Sequence, residues 1–250
     1  MPFLVADAYD RYMGRYSAPL SPLLADFAGV ERGQRVLDVG CGPGALTAEL
    51  VQRVGPAAVT AVDPSQPFVD ALVERLPGVV VKRAAAEELP FPDASFDAAL
   101  AQLVVHFMAD PVAGIRELGR VTRPGGVVAA CVWDFSGGGP LDVFWSAVHA
   151  LDPDAEGETN LAGTREGQLA GLFEEAGLEE VEDGALAISV DHPTFEDWWE
   201  PFTLGVGPGG DYVSGLTPDG VERLREECRR RFPSAPFAVN GRAWAARGKA

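Results

Sequence analysis

The chain has 250 residues, 47% hydrophobic and 23% charged, a composition typical of one large folded domain or a domain with an insertion. Its 37 acidic and 20 basic residues give a formal net charge of −17, which disfavours a nucleic-acid partner. The three cysteines are too far apart for a disulfide framework or a metal-binding pair. The amino terminus shows no signal segment, and no apolar run is long enough to span a bilayer. We therefore predict a cytoplasmic protein without a bound metal or membrane contact.

Strands and helices are predicted to alternate along the first 133 residues. Strands are predicted at 35–39, 58–62, 79–84, 96–104 and 127–133, and helices at 44–54, 66–76 and 110–121. The last of these helices begins with a capping Asp110 followed by Pro111. This alternation predicts an α/β fold with a doubly wound, mostly parallel sheet, which binds its ligands at the carboxyl ends of the strands.

The second half of the chain is predicted to complete the sheet. Further helices are predicted at 141–151, 164–176 and 217–231, and long strands at 178–190 and 237–247. The residues between those two strands are too many for a hairpin turn, so they form an insertion at approximately 192–232. We therefore expect an N-terminal helical cap at 1–34, a cofactor-binding core at 35–135, and a segment at 136–250 that carries the insertion.

The first strand ends in a glycine-rich turn. The apolar residues up to Val39 are followed by Gly40, Cys41, Gly42, Pro43 and Gly44. Three glycines at alternate positions allow a ligand to approach the backbone closely. A strand, a glycine turn and a helix in this order are how open α/β sheets hold nucleotide-like cofactors.

The glycine spacing and the charge of this turn distinguish between two possible cofactors. In the dinucleotide fingerprint the third glycine comes one residue later than Gly44 does here, and Pro43 removes an amide donor. The carboxylate of Asp38 would repel a pyrophosphate but attract a cation. S-adenosylmethionine carries an ammonium and a sulfonium and has no phosphate, so the turn favours it over NAD.

The turn resembles motif I of the class I S-adenosylmethionine-dependent methyltransferases. The resemblance covers about the first 135 residues and is closest to the small-molecule group that includes the ubiquinone and menaquinone C-methyltransferases. It implies a seven-stranded Rossmann-like sheet that closes with an antiparallel pair. It also implies S-adenosylmethionine as the cofactor and a small molecule as the methyl acceptor.

An acidic residue ends the second predicted strand. Asp63 follows the glycine turn by about 20 residues, where a carboxylate can hydrogen-bond both ribose hydroxyls. Alternatively, Asp63 caps the helix that follows. Pro64 and Ser65 are expected to flank the adenine.

The loop after the third strand also resembles the family. There Ala86 and Glu87 match positions that meet the adenine. Ala85 stands where the family usually has an aspartate, which implies looser cofactor binding.

Residues ahead of the first strand resemble the amino-terminal helix that folds over the cofactor in this family. The resemblance implies that Arg15 pairs with the methionyl carboxylate and that Tyr9 or Tyr12 closes the pocket. The alternative is an amphipathic helix that packs on the edge of the sheet.

Two polar residues belong to the fourth strand and the loop after it. Gln102 matches a position that faces the methionyl part of the cofactor, or it is a simple polar group at a strand end. His106 lies on the expected acceptor side, which makes it a candidate catalytic base, the alternative being a structural histidine. Trp133 and Asp134, which end the fifth strand, are expected to line the same cleft.

The insertion contains four aromatic residues near glycines, which indicate either a substrate cover or a helix packed on the core; they are Trp198, Trp199, Phe202 and Tyr212. The leading hypothesis is a methyltransferase that acts on a small molecule. The alternatives are a non-catalytic S-adenosylmethionine-binding protein and an NAD-linked oxidoreductase. The methyl acceptor and the oligomeric state are not predicted.

Overall fold

The computed structural model describes residues 2–158 and 160–250, so Met1 and Thr159 lie outside the described residues. The strands are β1 (Val36–Val39), β2 (Val59–Asp63), β3 (Val80–Arg83), β4 (Phe96–Gln102), β5 (Thr122–Trp133), β6 (Glu179–His192) and β7 (Phe237–Lys249). The α-helices are α1 (Pro2–Tyr9), α2 (Arg15–Phe27), α3 (Ala45–Val54), α4 (Gln66–Arg75), α5 (Pro111–Val121), α6 (Asp142–Leu151), α7 (Gln168–Glu175), α8 (Phe195–Trp199), α9 (Gly207–Ser214) and α10 (Pro218–Arg231). A π-helical turn, Asp10–Gly14, joins α1 to α2.

The described strands form one seven-stranded sheet in the order β3-β2-β1-β4-β5-β7-β6. The first five strands pair in parallel, whereas β7 runs antiparallel to both of its neighbours. The predicted fold class, including the helical insertion before the last strand, is confirmed.

Helices cover both faces of the central strands, as expected for a largely parallel sheet. All four residues of β1 are buried. Along β4, Leu100 contributes to a core with α2 and α3, and its neighbour Ala101 contributes to a second core with α5 and α7. This alternation follows from the two-residue period of a strand.

The strand order reverses between β1 and β4. The chain leaves β1 toward one edge of the sheet and leaves β4 toward the other, which opens a crevice at the carboxyl ends of these two strands. The loop after β1 and the loop after β4 come so close that a Cβ on Gly40 would lie 2.4 Å from Cγ2 of Val104. Any side chain at Gly40 would therefore separate the two loops.

The insertion packs onto the core. Its glycine-rich residues 205–215, which precede the predicted helix at 217–231, contain α9. Trp198 and Phe202 are 1% and 2% exposed, and Phe202 stacks on Phe144 with ring centroids 4.3 Å apart. Phe202 also contacts the ring of Tyr12 edge-on at 5.3 Å. Trp198 and Phe202 therefore belong to the core, and Phe202 also contacts Tyr12 of the N-terminal segment.

Within residues 2–158 and 160–250, no helix has both the length and the apolarity needed to cross a bilayer. In the same part of the chain, no group of three or more His, Cys, Asp or Glu side chains is arranged to hold a metal ion.

Candidate active site

The glycine turn is joined to the end of β2 by hydrogen bonds. The amides of Gly40 and Cys41 both donate to the carbonyl of Val62, at 2.8 and 3.0 Å. The amide of Gly42 donates to Oδ2 of Asp63 at 2.8 Å. The carboxylate of Asp63 therefore holds the turn in place.

The other oxygen of Asp63 accepts the amide hydrogen of Ser65 at 2.8 Å. Ser65 is the residue that precedes α4, so the carboxylate also supports the start of that helix. A carboxylate has about four lone-pair positions, which leaves room for further donors such as ribose hydroxyls. The ribose contact stays a prediction with which this geometry is compatible.

Open space lies next to the turn. Gly42 has a φ of +51°, and a Cβ built on it would meet no atom within 4 Å. Next to it, Gly44 has a φ of +105°, and a Cβ there would lie 2.4 Å from Cδ1 of Leu72. The backbone conformation thus requires glycine at both positions, but only at Gly42 does the missing side chain leave room for a ligand.

An acceptor atom without a partner lies at the end of β4. The Nε2 group of Gln102 donates to the carbonyl of Ser17 and to the hydroxyl of Ser21, both at 3.1 Å. Its Oε1 atom is buried and has no hydrogen-bond donor among the described residues. Buried polar atoms nearly always have partners. The ammonium group of a bound S-adenosylmethionine would supply the hydrogen-bond donor that this oxygen lacks.

Asp38 lies beneath the turn rather than on its surface. Its side chain is 1% exposed, and the hydroxyl of Thr47 donates to its Oδ2 at 2.6 Å. Burial raises the pKa of Asp38 to about 7. The negative charge that we expected at this position is therefore only partly present near neutral pH in the ligand-free chain.

The N-terminal segment lies across the crevice. Tyr9 contacts Phe68 at the start of α4, with ring centroids 5.4 Å apart. Burial, and after it the nearby charge of Asp63, raises the pKa of Tyr9 to about 12. Tyr9 thus lies close to the predicted ribose-binding carboxylate, as the pocket-closing hypothesis requires.

Arg15 points toward the insertion. Its guanidinium donates to Oδ2 and to the carbonyl of Asp197, at 3.0 and 2.9 Å. The predicted pairing of Arg15 with a methionyl carboxylate stays a prediction, but the guanidinium already has protein partners.

The predicted adenine-binding residues lie around the ends of β2 and β3. Ala86 is buried beneath α5, and Oε1 of Glu87 accepts the amide hydrogens of Ala109 and Asp110 at 2.8 and 3.3 Å. The carbonyl of Pro64 accepts a hydrogen bond from Nε of Arg83 at 2.9 Å. The side chain of Glu87 is thus committed to the start of α5, so an adenine contact here would depend on the backbone.

An aromatic cavity with a volume of about 50 Å³ lies beside the crevice. It is lined by Tyr9, Tyr12, Met13, Leu103, His106, Phe107, Trp133, Phe135, Leu141, Glu158, Gly207 and Pro208. Tyr9, Tyr12, His106 and Trp133, all singled out in the sequence, therefore share one cavity.

Asp134 does not line this cavity, contrary to expectation. It is fully buried, and Nε of Arg242 donates to its Oδ2 at 2.9 Å while the amide of Ser136 donates to Oδ1 at 2.8 Å. The cause is that the chain turns after Trp133, which directs the next side chain toward β7.

His106 is buried in the cavity wall. Its Nδ1 atom has no hydrogen-bond partner among the described residues, and its ring lies 3.9 Å from that of Phe107. Burial lowers the pKa of His106 to about 3, so the imidazole is neutral at physiological pH. A histidine in this state accepts a proton weakly.

Sequence reasoning missed Glu158. This carboxyl is 4% exposed, and the indole of Trp145 donates to its Oε2 at 2.9 Å. Burial raises its pKa to about 7. Glu158 lies in an irregular segment between α6 and α7, where no periodic pattern marks it as buried.

The chain is similar in sequence to known methyltransferases. Residues 37–130 match the model of the methyltransferase domain family. An uncharacterized methyltransferase of Mycobacterium tuberculosis is 42% identical over 127 residues, which cover 51% of this chain and 49% of the relative. A malonyl-[acyl-carrier protein] O-methyltransferase of Serratia marcescens is 33% identical over 130 residues, which cover 50% of each protein. The chain thus spans about half the length of these curated relatives.

A solved structure supports the fold over nearly the whole chain. It is a phosphoethanolamine N-methyltransferase of Haemonchus contortus in complex with S-adenosylhomocysteine, with a TM-score of 0.59 and 16% identity. The match covers 98% of this chain and 60% of the other. Residues 37–130 are therefore similar in sequence to methyltransferase domains, and the fold of nearly the whole chain is similar to that of a methyltransferase.

Proposed function

We propose that this protein transfers the methyl group of S-adenosylmethionine to a small-molecule acceptor. The observation that carries the proposal is the adjacency of two sites at one edge of the sheet. The glycine turn with Asp63 forms one site, the aromatic cavity forms the other, and Tyr9 borders both. The bound S-adenosylhomocysteine of the Haemonchus structure supports this donor, and the name of the Mycobacterium relative supports methyl transfer.

The chain's own residues would bind and orient the two reactants. Asp63 and the backbone at Gly42 would hold the adenosine part, and Oε1 of Gln102 would accept a hydrogen bond from the ammonium. When bound, the cofactor supplies a methyl group already activated by its sulfonium. The walls of the cavity exclude water and hold the acceptor in line with that methyl group, which is how positioning lowers the barrier.

A matched pair of glycine variants tests the cofactor site. Gly42 and Gly29 both have positive φ angles, +51° and +66°, and neither has an atom within 4 Å of a built Cβ. Alanine costs about 1–2 kcal/mol of backbone strain at either position. We expect Gly42→Ala to weaken S-adenosylhomocysteine binding at least tenfold by calorimetric titration, and Gly29→Ala to leave it unchanged. Equal affinities in the two variants would contradict the assignment.

Incubation with methyl-labelled S-adenosylmethionine and a panel of phenolic, quinone, amine and carboxylate acceptors tests turnover. Label in an acceptor supports the proposed function. Binding of S-adenosylhomocysteine without incorporation into any acceptor would favour the binding-protein alternative. Tight binding of a nicotinamide cofactor with none of S-adenosylhomocysteine would overturn the proposal.

A further inference from the structure

We propose that Glu158 is the group that takes the acceptor's proton and that the acceptor is a compact phenol bound in the aromatic cavity. The inference rests on the proposed function and names its substrate class. The hydrogen-bonding state of Glu158, the charges around the cavity and its aromatic walls support it.

Glu158 presents one free oxygen. Its Oε2 atom accepts the indole hydrogen of Trp145, while Oε1 receives no hydrogen bond from the described residues. The hydroxyl of Tyr12, which lines the same cavity, is buried and also lacks a partner. After burial, the nearby charge of Glu158 is the largest cause that raises the pKa of Tyr12. A carboxylate oxygen and a phenolic hydroxyl, both unpartnered, therefore lie near each other and can engage one hydroxyl of a ligand.

The cavity disfavours anionic acceptors. Neither Lys nor Arg occurs among the described residues that line it, and its only carboxyl is Glu158. A carboxylate or phosphate acceptor would lose its hydration without gaining a cationic partner and would also be repelled by Glu158. The cavity therefore does not suit an anionic acceptor such as that of a malonyl-[acyl-carrier protein] O-methyltransferase.

The walls favour a neutral planar ring. Tyr9, Phe107, Trp133 and Phe135 present aromatic faces and edges, which bind flat rings well. An ammonium group could pair with Glu158, but it would first have to leave water for a cavity with a single charged partner. A phenol enters without desolvating a charge and still carries a proton that a base must remove.

Glu158 is the better base of the two candidates. Burial raises its pKa to about 7, whereas burial lowers that of His106 to about 3. A general base is most effective when its pKa lies near the working pH. The other titratable groups around this region include Tyr9 and Tyr12 in the cavity and Tyr16 and Asp211, which act on Tyr12. Two more pack on the ring of Trp145, His149 at 6.1 Å and Tyr212 at 6.2 Å.

The step balances without a further reactant. The phenolic O–H bond breaks, and the proton passes to Oε1 of Glu158. An electron pair of the phenolic oxygen forms the new bond to the methyl carbon, while the carbon–sulfonium bond breaks and its pair stays on sulfur. Glu158 returns the proton to water when the products leave.

Three variants test the role of Glu158. Glu158→Gln keeps an oxygen for Trp145 but cannot take a proton, and Glu156→Gln is an exposed control in the same segment. His106→Asn tests the competing base. With a phenol that is turned over, we expect Glu158→Gln to lower kcat by about 100-fold or more and to remove the rise of kcat near pH 7. Its KM and its S-adenosylhomocysteine affinity should stay within about threefold of the wild type, as should the kcat of Glu156→Gln.

A binding measurement keeps the inference testable without turnover. The absorbance of 4-nitrophenol, titrated against pH on the S-adenosylhomocysteine complex, reports the pKa of the bound phenol. The neighbouring carboxylate should hold that pKa at least about one unit higher in the wild type than in Glu158→Gln. Equal values, or no binding of nitrophenol, would overturn the inference.

A substrate comparison separates this inference from the proposed function. Phenols, benzoates and benzylamines of the same ring size are offered with labelled donor. Methylation of the phenols alone supports the inference. Methylation of benzoates or benzylamines at comparable rates, or full activity of Glu158→Gln, would overturn it while leaving the methyltransferase assignment intact. Failure to bind S-adenosylhomocysteine at all would instead overturn the proposed function.

Discussion

The amide of Gly42 lies 2.8 Å from Oδ2 of Asp63, which joins the two cofactor motifs by one hydrogen bond. The residues are 21 positions apart in sequence; Asp63 ends β2, and Gly42 lies in the turn that follows the neighbouring strand β1. The carboxylate therefore shapes the glycine turn even without a ligand. Its structural role and its predicted ribose contact must be separated by experiment.

Asp63→Asn separates these roles, because an amide offers one accepting oxygen where the carboxylate offers two. One of the two backbone amides at Gly42 and Ser65 would lose its acceptor. We expect the free energy of unfolding to fall by about 1–3 kcal/mol in urea denaturation. S-adenosylhomocysteine affinity should fall at least tenfold, whereas the exposed control Asp70→Asn should change neither quantity. A stability loss with unchanged affinity would leave Asp63 a structural role only.

The buried carboxyl of Asp38 predicts how stability depends on pH. Its pKa is about 7 in the folded chain against about 3.9 when unfolded, so the folded state holds a proton that the unfolded state releases between these values. The free energy of unfolding should therefore decrease as pH rises from about 4 to 7 and level off above 7.

Asp38→Asn keeps an oxygen for Thr47 and removes this titration. We expect the variant to lose less stability than the wild type between pH 5 and pH 8, by about 1–3 kcal/mol in urea denaturation. The exposed control Asp154→Asn should follow the wild type. Identical pH profiles for the wild type and Asp38→Asn would show that Asp38 does not titrate in this range.

The sulfonium should interact with Asp38 if the carboxylate faces the methyl donor. Because a nearby cation favours the ionised form, the affinity for S-adenosylmethionine relative to S-adenosylhomocysteine should rise from pH 6 to pH 8. Asp38→Asn should abolish this rise. Calorimetric titrations of both ligands at the two pH values measure the ratio, and a ratio independent of pH in the wild type would contradict the electrostatic argument.

Arg75 holds the N-terminal segment over the crevice. Its guanidinium pairs with Asp7 at 3.0 Å and with Asp10 at 2.7 Å, and it also donates to the carbonyl of Pro43 at 3.3 Å. Because each exposed pair contributes about 0.2–1 kcal/mol, Arg75→Met should speed the dissociation of S-adenosylhomocysteine about two- to fivefold in stopped-flow measurements. The control Arg230→Met removes an ion pair with Glu227 on α10 and should have no effect.

His192 joins the insertion to α2. It is fully buried, with the hydroxyl of Tyr16 3.1 Å from Nε2 and Oδ2 of Asp197 2.8 Å from Nδ1. In the neutral ring Nδ1–H donates to Asp197 and Nε2 accepts from Tyr16. His192→Gln cannot reach both partners, so we expect the free energy of unfolding to fall by about 2–4 kcal/mol, measured by tryptophan fluorescence.

His192 should also make the stability of the fold decrease at acidic pH. Burial lowers the pKa of His192, so the unfolded chain binds a proton that the folded chain refuses, and stability should be lost as pH falls below about 6.5. His192→Gln should remove this loss. His149→Gln, a control at a partly exposed histidine, should cost less stability than His192→Gln. An equal cost at both positions would contradict a special role for His192.

Local patterns predicted the sheet well. The alternating apolar segments and the capped start at Pro111 are properties of neighbouring residues, and α5 begins there as expected. The sequence singled out Asp63 as a ribose-binding residue or a helix cap, and the ribose contact stays a prediction. The sequence did not show that the turn's own amide would occupy Oδ2, because hydrogen bonds across 21 residues have no periodic signal.

The order of apolar residues and glycines along the first 135 residues by itself determined the parallel sheet and the glycine turn. Only the tertiary structure decided the surroundings of each charge. It turned Arg15 toward Asp197, buried Asp38 beneath the turn, and brought Glu158 to the cavity of Tyr12 and His106. The reason is that burial and partner choice depend on residues distant in sequence, and burial fixes whether a carboxyl or an imidazole carries its charge.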